Sequence, residues 1–420
     1  MGRAIVISNL QRSLAVSSIN LVVLCLTACG GGGDLNPTAR GQPAGYAYVA
    51  AVAAPDATMP GAVLQYSIGA DGSLTALGTT SIPAGSRPAA MVCDPSGHYI
   101  YVANEGDGTI SQYSVGAGGV LSALSPATIS IGVYPPLVGY TLSMSPNGHA
   151  LYVVTNLRDS VGVLPATVIL QYAIGTDGRL SPLRSGFLTV AAVVGRVSLA
   201  FDASGMYAYL ASKTLIGEAQ TADGAVLQFS IAGNGELTQM PSQTVVATRN
   251  AVGVAISPSG RTAYVLSACI NDTCDGEIAE YAVGTNGMLT PAGATTPTAS
   301  HVIPIALAPD TSGSSAYLLT NLMGVDTNAG AVYQYTLDSG GALVPATPPS
   351  LGLSSGAVTQ LVLGPNLYAL SSNAVGSVSG APIGGHISHF HIGAGGLLTA
   401  VGTTSISTGY PAAMTVVATH

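Results

Sequence analysis

The sequence predicts an all-β fold: a closed ring of short, four-stranded antiparallel sheets. Three observations predict it. The 420-residue chain is 48% hydrophobic and only 7% charged, the reverse of the balance that keeps a chain disordered. One motif, Gln or Glu then Tyr or Phe, followed by a small residue and an aliphatic one, recurs seven times at spacings of 47 to 59 residues, the last copy opening on His389. The two ends also complement each other: the first unit lacks an opening strand, and the tail finishes on a strand with nothing after it. Beyond the N-terminal stretch no apolar run reaches the about 18 residues a membrane helix needs. A net charge of −8 without a Lys/Arg cluster argues against a nucleic-acid partner.

In chain order, residues 1–28 have the pattern of a secretory signal, with Arg3 and Arg12 before an apolar stretch from Leu14 to Leu26. The stretch ends in Leu26-Thr27-Ala28-Cys29, which resembles the bacterial lipobox, and that resemblance implies cleavage before Cys29 and diacylglyceryl transfer to its thiol. Gly30 to Gly33 then predict a flexible tether over residues 29–44. Gly at position 30 resembles lipoproteins sorted to the outer membrane. The expected location is therefore the cell envelope, with the lipid bilayer a partner through Cys29. Cys269 and Cys274 enclose a four-residue loop that an oxidising compartment could close as a disulfide, and Cys93 is expected as a small core residue.

The propeller proper is expected over residues 45–420. The motif reads Gln65-Tyr66-Ser67-Ile68 in the first unit and Gln112-Tyr113-Ser114-Val115 in the second; in the seventh it becomes His389-Phe390-His391-Ile392. Turns such as Gly69-Ala-Asp-Gly72 and Gly175-Thr-Asp-Gly178 follow it, supplying the positive φ a hairpin needs. Upstream of each copy lies a second strand carrying Tyr, such as Tyr99-Ile-Tyr-Val102, introduced by a turn such as Asp94-Pro-Ser-Gly97. Each unit is thus four strands: A before the Pro-Gly turn, B with the Tyr, C with the Gln-Tyr, and D after the Gly turn. Seven such units make a seven-bladed β-propeller. Arg87-Pro-Ala-Ala-Met91 and Tyr410-Pro-Ala-Ala-Met414 share four letters, so the C-terminal strand should supply strand A of blade 1 and close the ring as three strands plus one. The ring is expected as a monomer.

Asp94-Pro-Ser-Gly97 followed by Tyr101-Val-Ala-Asn104, together with Tyr152-Val-Val-Thr-Asn156, resembles the YVTN repeats of the lactonase-type, 6-phosphogluconolactonase-like seven-bladed propellers. The resemblance covers essentially the whole mature chain and implies a lactone hydrolase at the mouth of the central channel. The family's His pair and Arg-His pair entering strand A would fall at 134–140 and 194–198, where Arg196 alone matches.

The A–B and C–D turns are short and repetitive, whereas the B–C loops are long and dissimilar, so recognition is expected on the B–C face. Its acids, among them Glu105, Asp107, Asp223 and Glu277, suggest an acidic face. At the starts of the inner strands, Arg87, Tyr140, Arg249, His301 and Tyr410 are candidate ligand-binding residues, because guanidinium forks suit carboxylate or phosphate. Arg196 and His301 are the candidate catalytic groups. His389 and His391 lie on one face of a strand and could chelate a transition metal; Glu105-Gly-Asp107 could hold Ca²⁺. No cofactor is expected. Two functions follow: a non-catalytic, lipid-anchored module binding an envelope protein or small ligand, and a lactone hydrolase.

Overall fold

The structure is a computed structural model that describes residues 22–24, 43–52, 60–131, 137–157, 166–183, 187–190, 199–213, 223–241, 244–249, 251–268, 276–299, 302–322, 330–353, 357–372, 384–407 and 410–418. They form seven antiparallel sheets of the predicted A-B-C-D order. In blade 2, strand A is Pro88–Cys93, B is Tyr99–Asn104, C is Thr109–Val115 and D is Leu121–Ser130. In blade 3, strand A is Leu137–Met144. The sequence dictates this pattern: strands A and B are apolar at nearly every position, as buried inner strands must be, while D at the rim is mostly exposed.

Closure is of the three-plus-one kind. Tyr410–Ala418 pairs antiparallel with Gly45–Val52, placing Met414 opposite Val49 and Thr415 opposite Tyr48. A side chain from the neighbouring blade reinforces the joint: Gln360, in strand A of blade 7, accepts from Met414 N at 2.7 Å and donates to Met414 O at 2.9 Å. Within the predicted signal, Val22–Leu24 runs parallel to that same inner strand, Val22 opposite Gln360.

Two hydrogen bonds recur at the joints between blades. The strand-B Tyr hydroxyl donates to the carbonyl of the C–D turn glycine one blade on: Tyr48 to Gly119, Tyr101 to Gly178 and Tyr152 to Gly235, at 2.6–2.7 Å. The same bond joins Tyr209 to Gly287, Tyr264 to Gly341, Tyr317 to Gly396 and Tyr368 to Gly72, the last stretched to 3.3 Å. The strand-C Gln accepts from the first N–H of strand D in that same next blade, as in Leu121 N to Gln65 Oε1 at 2.7 Å and Leu180 N to Gln112 Oε1 at 2.8 Å. Glycine is required in these turns: Gly178 holds φ +76, and a Cβ there would sit 2.2 Å from the Tyr99 ring.

Cys93 is buried, as expected of a core position, but it is disulfide-bonded rather than a free thiol. The other four cysteines, including Cys29, Cys269 and Cys274, lie outside the described residues.

Candidate functional site at the channel mouth

Strand A runs from the B–C loop face to the turn face, so its first residue stands at the channel mouth. In blade 2 that place belongs to Arg87, between strand D of blade 1 (Leu74–Ser86) and Pro88. A residue before proline is normally confined to extended backbone, yet Arg87 holds φ +48, the only non-glycine among the described residues with positive φ. The strain is sustained by its surroundings. Glu105 N donates to Arg87 O at 2.8 Å and Gly106 N to Ser86 O at 2.9 Å, while Ser86 N donates to Asp107 Oδ2 at 2.7 Å. The four-residue B–C loop Glu105–Gly108 is thereby stitched to the crossover between blades 1 and 2.

Its carboxylate organises the site. Glu105 Oε2 lies 3.7 Å from an Arg87 guanidinium nitrogen, and Oε1 accepts from Gly139 N of blade 3 at 3.0 Å. The Glu105 side chain is 8% exposed and that of Arg87 is 38%, so the pair offers solvent a cation and keeps the anion behind it. Tyr140 packs beneath, buried between blades 2 and 3. Burial, with Glu105, Tyr172 and Asp107 adding to it, pushes its phenol well above the usual range, so the hydroxyl stays protonated. Asp107 is committed to Ser86 N and to the Thr109 hydroxyl at 2.7 Å. Both carboxylates expected as Ca²⁺ ligands therefore already hold protein donors. Among the described residues no group of three or more His, Cys, Asp or Glu could hold a metal ion.

The structure thus brings Arg87 and Tyr140 together, with Glu105 between them. It places the backbones of Arg249, opposite Asp223, and Tyr410, opposite Val52, at the same end of blades 4 and 1. Arg196 and His301 lie outside the described residues, as does most of the long-loop face. His389 is buried with Nε2 unpartnered and the ring edge-on to Tyr368, whereas His391 is exposed and meets Asn366 Oδ1 at 3.1 Å. At the opposite, turn end of the channel lies a cavity of about 410 Å³ walled mainly by apolar residues such as Val92, Met144, Phe201 and Ile256. Its carboxylate, Asp202, is used by the Ser204 and Tyr207 amides of its own turn.

Residues 42–136, which include blade 2 and its mouth, match the family described as lactonase, 7-bladed beta-propeller. With the ring of seven four-stranded blades, this makes the chain a seven-bladed β-propeller that resembles that family over this stretch. Among solved structures it is similar to a candidate 6-phosphogluconolactonase from Bacteroides uniformis, at 14% identity and TM-score 0.61, covering 90% of this chain and 100% of that one. It is also similar to a periplasmic gluconolactonase from Pseudomonas aeruginosa, at 17% identity and TM-score 0.59, covering 89% and 99%. At these identities the likeness concerns the fold. No curated relative matches in sequence.

Proposed function

We propose that the protein is a lipid-anchored envelope propeller that binds a small, oxygen-rich anion, such as a sugar acid, at the mouth between blades 2 and 3. The observation that carries this reading is Arg87, held in strained backbone with an exposed guanidinium backed by buried Glu105. Strain of about 1–3 kcal/mol that surrounding structure sustains is characteristic of sites of function. The guanidinium is the fork for a carboxylate, and Glu105 is an acceptor for a neighbouring hydroxyl. Isothermal titration with gluconate tests it. Binding weakened about 10- to 100-fold in Arg87→Ala, the loss of one charge-assisted hydrogen bond, supports the reading; undiminished binding refutes it.

A second reading is favoured by the names of the similar structures: hydrolysis of a sugar lactone at the same mouth. Glu105 would take a proton from water, whose oxygen bonds to the lactone carbonyl carbon. Arg87 would balance the oxyanion, and the ring C–O bond would then break with its oxygen protonated to give the hydroxy acid. Turnover of gluconolactone above the spontaneous rate, lost in Glu105→Gln, would establish this reading over simple binding.

A further inference from the structure

We infer that the propeller lies on the bilayer through the C–D turns of blades 7 and 2, with the channel mouth turned away from the lipid. The inference rests on the acylation of Cys29 proposed above and adds an orientation and a contact surface. Three observations carry it.

The first is where the chain enters the ring. Ala44 N donates to Ile68 O at 2.8 Å, at the end of strand C beside the Gly69–Gly72 turn, and Gly45 pairs with Ala418 at the end of strand A. The chain therefore enters blade 1 on the turn face. Fifteen residues separate Cys29 from Gly45, and a Gly-rich chain of that length spans on average about 20 Å. An acylated Cys29 holds this face, not the mouth, near the lipid.

The second is a departure from the repeat at the blades flanking that entry. Five of the seven C–D turns carry Asp or Asn, as in Asp71, Asp177, Asn234, Asn286 and Asp338. The turns of blades 2 and 7 instead read Gly116-Ala-Gly-Gly-Val120 and Gly393-Ala-Gly-Gly-Leu397. Both form a 3-10 turn with a following apolar side chain left exposed, Val120 at 38% and Leu397 at 40%. Strand pairing and the Tyr latches fix the ring order as 7, 1, 2, so these two turns stand on either side of the tether's entry.

The third is charge. After Asp338 the chain has no Asp, Glu, Lys or Arg to its end, and none lies between Asp107 and Arg158. Blade 7, the closing strand and the outer hairpin of blade 2 are accordingly uncharged, in a chain whose net charge of −8 would repel an anionic lipid surface elsewhere. Asp71 is the one ionised side chain in the C–D turns of these three blades. Two exposed aliphatic side chains supply little affinity, so their effect is to orient a body that the acyl chains already hold.

The test uses the full acylated chain in vesicles of phosphatidylethanolamine and phosphatidylglycerol containing brominated lipid. A fluorescent amino acid replaces Val120, Leu397 or, as the control in the opposed blade 4, Asn234. Quenching at 120 and 397 with none at 234 is expected, and Asp introduced at both apolar positions should abolish it for a label at Ala117. Equal quenching at all three positions, or none at 120 and 397, overturns the orientation while leaving the anchor intact. Shielding of 120 and 397 in detergent-dispersed dimers assigns the surface to a second copy and equally overturns it. An N-terminal peptide whose mass lacks acyl groups removes the anchor, and this inference with it.

Discussion

Arg87 concentrates the conflict between stability and use at the scale of one residue. An L-residue at φ +48 is strained where glycine is not, so Arg87→Gly is expected to raise the melting temperature, by up to about 1 kcal/mol of stability, while removing the guanidinium. A lower melting temperature would show that the Glu105 ion pair outweighs the strain. Tyr101 is the opposite case. Its hydroxyl serves the Gly178 carbonyl, and Tyr101→Phe should cost about 1–2 kcal/mol in denaturant unfolding by orphaning a buried acceptor. The importance of strand-B Tyr was visible in the sequence as a repeated letter, and Arg87 as a cation at a strand start. The unusual φ was not, because Arg-Pro predicts extended backbone. Nor was the Arg87–Glu105 pairing, which depends on how a four-residue loop folds back across a crossover.

Among the blades, the joint between 7 and 1 departs from the rule at the scale of the element. Blades 1 to 4 and 6 present a strand-C Gln to the next blade; blade 5 presents Glu280 and blade 7 His389. Burial holds the His389 imidazole below its ordinary pKa, partly offset by Asp71, and Nε2 has no partner. A His whose folded pKa is depressed stays neutral in the fold and gains its proton on unfolding. Its contribution is therefore intact above the unfolded value of about 6.5 and is lost as pH falls below it. His389→Gln should restore the standard bond, stabilise the protein by about 1 kcal/mol and flatten stability between pH 7 and 5; an unchanged pH profile would refute this. Glu280 runs the other way: burial pushes its carboxyl up, and its bond to Leu343 N is longer, at 3.2 Å. The ionised form is the disfavoured one, so Glu280→Gln should stabilise at pH 7 and make no difference where the carboxyl is already protonated. The repeat register made both exceptions legible as substitutions, but their partners one blade away were not legible.

Over the whole molecule, the repeat count, the strand order and the terminal closure were all readable, because each blade restates the same periods of apolar residues and turn glycines. Removing residues 409–420 should abolish cooperative unfolding, since it deletes strand A of blade 1 and leaves Gln360 without Met414; a cooperative transition in the truncated chain would show that the ring closes otherwise. The site was only half readable, since a ring brings distant strand starts together at a mouth whose loops follow no period. The most direct test of the account is to titrate gluconate into the wild-type chain and Arg87→Gly while recording the melting temperature of each. The account predicts that the variant melts no lower and binds at least about tenfold more weakly. Equal affinity in a fully folded variant would contradict a ligand site at this mouth.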